Sequence, residues 1–475
     1  MRENNKTSRR DFLKTTTIST AGLAVGSSFA NYTKAEPRGW TEAKSIHPSI
    51  DNLRVVVAHD SAMVNTNCID FSGFSMEKQN SYANTDKIQE NMDKMAIALA
   101  EDQSTADLAW KKIFIKPAAK SWNEVTVAIK INAIGSNHPR VAVIDKLCSE
   151  LINCGVLAEN ITIFDAGRTA TSLYNSFVGN GIPSNVKVSN GSSNVNVPTT
   201  GTNTITCTDI LAKSVNGAIV YQKDILINVA VCKGHSQSKN GGFTLTLKNH
   251  IGTVNINKCP SAEKLIEINQ CEAILGNFES GEPRQCLCIV DALWSATNGP
   301  GGNPNVDTYR LVMGTHSPIV DYLTVKRIRE PILDKPAVSG KLETILSGYG
   351  YDINDSEIND LDFIDALTYS SDPVKSEKSK LCNPFMATIT LTSPEFRHNK
   401  VQMILPGTNY ISSFLILDMK GRVVHDIELK SYGKKNVNIT WDGKDKYDRY
   451  VNSGMYIVKC TAGNTILRRK LTLMK

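Results

Sequence analysis

The chain has 475 residues, 41% of them hydrophobic and 21% charged. That length leads us to expect two or three domains, and the apolar content is enough for packed cores, which excludes a disordered or fibrous chain. The first 35 residues carry six basic and two acidic side chains, so the formal charge of +6 falls to 47 basic against 45 acidic residues in the remainder. A nearly neutral body without a basic run argues against nucleic acid as a ligand.

Ser8-Arg9-Arg10-Asp11-Phe12-Leu13-Lys14 matches the twin-arginine export motif, and the weakly apolar run Thr15 to Ala30 follows it as the h-region. Residues 1–35 are therefore expected to be a signal peptide, with the twin-arginine translocase as partner during export to the periplasm or cell surface. The run is too short and polar to cross a bilayer, which takes about 20 apolar residues, so the mature chain is expected to have no transmembrane segment. Cleavage after Ala30 or Ala35 fits equally well. Residues 36–50, with Pro37, Gly39 and Pro48, read as a linker. Eleven cysteines without a CxxC pair favour free thiols over disulfides and speak against a cubane cluster.

Arg54 to Ala58 reads as a buried strand ending in His59-Asp60, and Asp86 to Glu101 as a core-facing helix with Ile88, Met92, Met95 and Leu99 on one stripe. Val125–Ile131, a helix from Pro139 to Gly155, and Ile161–Phe164 form a βαβ unit. Its right-handed crossover puts Lys130, Asn132, Asp165 and Arg168 at one carboxyl edge, where open α/β sheets bind ligands. Residues 180–214 suggest short strands or a polar insertion. Ser261 to Leu275 reads as one helix, Cys286 to Val290 as a strand ending in Asp291, and Ser317-Pro318 as the start of another helix. The alternation predicts an α/β domain over 51–380, a mostly parallel sheet flanked by helices. After Asn383-Pro384, short strands and turn signals predict a separate small all-β sandwich over 385–475.

The chemistry is concentrated in Asp224–Val254, where an apolar strand leads through a Gly-rich loop into a second amphipathic run. Lys233, His235, Lys248 and Asn249 are the candidate catalytic residues: lysine supplies a positive charge that desolvation makes titratable, histidine exchanges a proton near neutral pH, and the amide orients substrate. Lys130, Asn132, Asp165, Arg168 and Asp291 are the candidate substrate-binding residues. A divalent metal among His59, Asp60, His138, His235, His250 and Asp291 lacks ligand spacing, so no metal site is assigned. Gly299-Pro300-Gly301-Gly302-Asn303 offers a phosphate cradle or a plain turn. No cofactor follows from these residues.

Several segments resemble the family known as domain of unknown function 362: Lys130-Ile131-Asn132, the strand Asp224–Val229 leading to Lys233-Gly234-His235, the run Leu245–Gly252, Asp291, and Met313-Gly314 followed by Asp321. The resemblance covers roughly residues 51–330. Some members carry ferredoxin-like cysteine clusters, which this sequence lacks. The tail resembles the immunoglobulin-like domain of flagellar hook-capping proteins through Leu417–Val424, Trp441–Asp445 and Ser453–Tyr456, and is similar to sorting domains of type IX secretion. Two functions are consistent with these features. One is an exported enzyme acting on a small anionic or carbonyl substrate; the other is a non-catalytic envelope protein that binds a ligand or partner and is anchored by its β-domain.

Overall fold

A computed structural model of the chain describes residues 47–369, except 48, 66–70, 74, 200–202, 255–258 and 277–282, and parts of 401–473. The expected leader, most of the expected linker and the segment 370–400 lie outside the described residues. The fold begins ahead of Asp51, because His47 and Ile50 are buried and His47 Nε2 lies 2.7 Å from Lys112 O.

The strands of the first part are β1 Val55–His59, β2 Val127–Lys130, β3 Ile161–Phe164, β4 Lys187–Ser189, β5 Ser193–Pro198, β6 Thr204–Thr208, β7 Ala212–Val215 and β8 Ala218–Tyr221. They are followed by β9 Ile225–Gly234, β10 Phe243–Thr244, β11 Gln285–Ala296, β12 Val306–Gly314 and β13 Ile364–Asp365. Nine of them form one sheet in the order β13-β1-β12-β11-β9-β2-β3-β4, with β10 folded back on β9. Strands β11, β9, β2, β3 and β4 pair in parallel and β12 runs against its neighbours. The architecture is mixed α/β with a mostly parallel central sheet.

The βαβ unit is present in parallel register, with Val127 opposite Ile161 and Lys130 opposite Phe164. Its helix, which follows α1 Thr85–Ala100 and α2 Ala106–Ile113, is α3 Val141–Asn153. Gly155 ends it at φ 105°, where a side chain would be strained. All ten residues of β9 are buried, as a strand with parallel neighbours and both faces covered requires. Ile225, Ile227 and Val229 join Ile129, Ile163 and α1–α3 in one core. Leu226 and Cys232 point to the other face, covered by α4 Thr246–Asn249, α5 Ala262–Asn269, α6 Ser317–Thr324, α7 Lys341–Gly348 and the hairpins.

Residues 180–214 contribute short strands, set outside the main sheet: β5 pairs with β6, and β7 with β8. The segment expected as a single helix from Ser261 to Leu275 is broken. Ser261 caps α5 by accepting from Lys264 N, and a separate turn Glu272–Leu275 follows Cys271. The next helix starts at Ser317-Pro318, as expected, with His316 at its N-cap position but no side-chain capping bond, and runs into a π turn at Val325–Arg329.

In the C-terminal region, β14 Val401–Pro406 pairs with β17 Asn436–Trp441. A separate sheet joins β15 Ile411–Asp418, β16 Val423–Asp426, β18 Gly454–Ala462 and β19 Thr465–Leu473 in the order β16-β15-β18-β19. Both are antiparallel, and the Trp441 ring of one meets the Tyr456 ring of the other edge-on at 5.4 Å. No helix among the described residues is long and apolar enough to cross a membrane.

Candidate active site at the carboxyl edge

Because β2, β3 and β9 run in parallel, their last residues meet at one edge. Lys130 and Lys233 leave their strands on opposite faces, the first in phase with Ala128 and the second with Ile225 and Ile227. They nevertheless converge above the edge. Lys130 Nζ lies 3.1 Å from Asp165 Oδ1 and donates to Ile131 O at 2.6 Å. Asp165 is held by Ala133 N, which donates to its Oδ2 at 2.8 Å. Lys233 Nζ donates to Asn132 Oδ1 at 2.9 Å and to Ile134 O at 2.6 Å. Asn249 Oδ1 completes the connection, accepting from Lys130 Nζ at 3.3 Å and Asn132 Nδ2 at 3.4 Å.

The loop after β9 carries the remaining groups back over this edge. Gly241 and Gly242, at φ 98° and 79°, reverse the chain so that Thr244 pairs with Lys233. Helix α4 starts at Thr246, and its first amides are taken by Asp321: Thr246 N donates to Oδ1 at 2.8 Å and Leu247 N to Oδ2 at 3.1 Å, with Thr246 Oγ1 adding a third bond. A buried carboxylate thus stands where the helix end needs acceptors. Asn249 is fixed from the other side, its Nδ2 donating to Asn228 Oδ1 at 2.8 Å and Val229 O at 3.1 Å. Gly252 lies against the Lys130–Asp165 pair so closely that a Cβ would overlap Asp165 Oδ1.

Lys233 is 0% exposed and Lys248 7%. Among the described residues neither forms an ion pair with a carboxylate, since Lys248 Nζ finds only Thr244 Oγ1 at 3.3 Å. Burial, with Arg140 and Lys248 adding to it and Asp165 opposing, brings Lys233 from 10.5 down to about 7. Lys248 falls to about 8 by burial, opposed by Cys259 and helped by Arg168. Burial also lowers Lys130, against the pull of Asp165. The result is a desolvated edge with more positive than negative charge.

His235 directly follows β9. Its Nδ1 accepts from Gln237 N at 2.9 Å, so the neutral ring carries its proton on Nε2, which faces Cys259 Sγ at 3.9 Å. Burial and then Lys248 lower it to about 4. At neutral pH His235 is therefore a hydrogen-bond donor. Arg168 stands exposed at the rim, in the turn after β3.

Asp291 is a correction. It does not end its strand: β11 continues to Ala296, and the pairing with β12 slips between Ala292 and Trp294. Asp291 instead accepts from Arg140 N at 2.7 Å, with Arg140 Nε 3.4 Å away, and has no contact with the lysines. A carboxylate after an apolar run reads as a strand end; here it is buried because an arginine is buried with it. Arg140 itself was missed. Its guanidinium stacks 4.8 Å over Trp294, and its charge bears on Lys233.

The remaining candidates do not converge. His59 lies at the end of β1, with two strands between it and β9, near Arg310. Asp60 caps a short turn and accepts from Asn91 at 2.9 Å. His250 is structural, between Asn228, Gln285 and Thr253, and burial brings it to about 3. No group of three His, Cys, Asp or Glu side chains among the described residues is placed to hold a metal ion. The glycine loop packs on the end of β9, with Gly234 N donating to Asn298 O at 3.2 Å.

Residues 127–326 match the family described as Domain of unknown function (DUF362). The DUF362 domain therefore runs from β2 into the π turn after α6, and contains every residue of the lysine-asparagine network as well as Asp321. No curated protein and no solved structure matches the chain.

Proposed function

We propose that the DUF362 domain of this chain is an enzyme acting on a small anionic substrate with a carbonyl group, bound at the carboxyl edge of the sheet. The observation that carries this reading is the pair of buried lysines, Lys233 and Lys248, without a carboxylate partner among the described residues. Buried charges in folded proteins are ordinarily paired, and an anionic ligand supplies the missing charge. Arg168 at the rim draws the anion in. Lys233 and Lys248 hold its negative groups and polarise its carbonyl, while Asn132 and Asn249 keep Lys233 and Lys130 in place. With values near 7 and 8, both lysines exchange protons at neutral pH, which supports catalysis over passive binding.

The twin-arginine leader supports export, so this chemistry is assigned to the periplasm or cell surface. The contact of Trp441 with Tyr456 supports an immunoglobulin-like sandwich for the tail, with anchoring or sorting as its role. The test of function is a thermal-shift series on the full chain at pH 6.5 with inorganic phosphate and small 2-oxo carboxylates. At least one anion is expected to raise Tm in proportion to the logarithm of its concentration. No rise with any of them overturns the reading.

A further inference from the structure

The buried charges around the carboxyl edge do not balance. Lys130, Arg140, Lys233 and Lys248 are buried there, against the carboxylates Asp165 and Asp291. Asp165 is matched by Lys130 at 3.1 Å and Asp291 by Arg140 at 3.4 Å. Asp321, the next buried carboxylate, accepts from the first amides of α4 and pairs with no cation among the described residues. When protonated, Lys233 and Lys248 are therefore a surplus of two positive charges. An ammonium group has three N–H donors. Among the described residues Lys233 spends two, on Asn132 Oδ1 and Ile134 O, and Lys248 one, on Thr244 Oγ1, so they share no acceptor. Thr244 stands opposite Lys233 in the β9–β10 pair, and facing residues of an antiparallel pair project on one face. Lys248 thus comes in at the base of the Lys233 side chain, while the Lys233 ammonium lies at its far end, against the loop after β2.

We propose that the ligand of this edge is a 2-oxo dicarboxylate, with Lys233 holding the end that bears the carbonyl and Lys248 the far carboxylate. The inference rests on the anion reading of the two lysines and names the class of anion. A ligand with one negative group would leave one of the two ammonium groups buried and unpaired, which is costly; two carboxylates match both. The backbone groups that favour phosphate, at a glycine loop or a helix start, are already used. Thr246 N and Leu247 N donate to Asp321, Gly241 N to Ser238 O, Gly242 N to Asn240 Oδ1 and Gly234 N to Asn298 O. The loop Gly299–Asn303 lies backbone against backbone, since a Cβ on Gly299 would overlap Gly234 O and one on Gly135 would overlap Gly301. What remains for a ligand is one N–H of Lys233 and two of Lys248, point charges at separate positions rather than a cradle.

The test is calorimetric titration of the full chain at pH 6.5, below the values of both lysines, with 2-oxoglutarate, 2-oxopentanoate and inorganic phosphate. 2-Oxopentanoate keeps the carbon chain of 2-oxoglutarate and ends in a methyl group where the second carboxylate stands. 2-Oxoglutarate is expected to bind at least about tenfold more tightly than either of the others, the worth of one charge-assisted contact. Lys248→Met should bring 2-oxoglutarate down to the affinity of 2-oxopentanoate and leave 2-oxopentanoate unchanged. If the two oxo acids bind the wild type equally, or phosphate binds more tightly than both, the dicarboxylate is wrong and the anion site stands. An advantage of 2-oxoglutarate that survives in Lys248→Met overturns the inference as well. If none of the three binds, the anion reading and this inference fail together.

Discussion

Replacing Lys233 by methionine keeps most of the side chain's length and removes a charge that is buried without a counter-charge. Its cost is two hydrogen bonds, to Asn132 and Ile134. Since an uncompensated buried charge costs several kcal/mol before relaxation, Lys233→Met is expected to leave the ligand-free Tm unchanged or higher, and to shrink any anion-induced rise to what Lys248 alone supports. Melting curves with and without anion check both halves. The pH dependence has a definite sign. Between about 7, its folded value, and its ordinary 10.5, Lys233 is neutral in the folded protein and protonated in the unfolded chain. The unfolded state then binds more protons, so stability rises with pH across that window. Lys233→Met should flatten this slope in denaturant titrations at pH 7, 8.5 and 10. Lys130, Asn132, Asp165 and Lys233 were legible as residues because each ends or follows an apolar strand. Asp291 and Arg140 were not, because pairing across 151 positions leaves no local mark.

Among the elements, the four-residue helix α4 depends most on a partner distant in sequence. Four residues are too few to hold a helix by themselves, so its stability comes from Asp321 at one end and from Asn249 bound to Asn228 and Val229 at the other. Asp321→Asn keeps one acceptor but turns an N–H group toward a backbone donor. It is expected to cost roughly 2 kcal/mol of global stability. Anion binding should also weaken, because Lys248 and Asn249 ride on this helix. Chemical denaturation and the thermal shift check the two effects separately; normal anion binding in a destabilised Asp321→Asn protein would mean that α4 does not position the site. The strands and α3 could be read from periodicity and from Gly155. The run Leu245–Gly252 gave no equivalent signal, since its conformation comes from tertiary hydrogen bonds rather than from an apolar stripe.

For the molecule as a whole, the switch from α/β alternation to short antiparallel strands was legible because strands and helices differ in hydrophobic period. The packing of those late strands was not, since alternation gives strands without giving their sheet partners. A fragment of residues 31–384 is expected to unfold cooperatively and to keep the anion-induced rise in Tm; aggregation of that fragment would place part of its core in the tail. Export is tested by replacing Arg9 and Arg10 with lysine, which should leave the chain in the cytoplasm. Mature protein outside the membrane at the normal rate would remove the twin-arginine assignment.

The claim that an anion completes a deficient edge has a direct thermodynamic signature. At pH 8 Lys233, near 7, is largely neutral and Lys248, near 8, half so; an anion that binds through their ammonium forms must draw protons from solution. Calorimetric titration of the full chain at pH 8, with the anion that most raises Tm, in two buffers of different ionisation enthalpy, counts those protons. Uptake of roughly 1.4 protons per anion bound is expected, falling to roughly 0.5 in Lys233→Met. Binding with no proton uptake, equal in the wild type and in Lys233→Met, would contradict it.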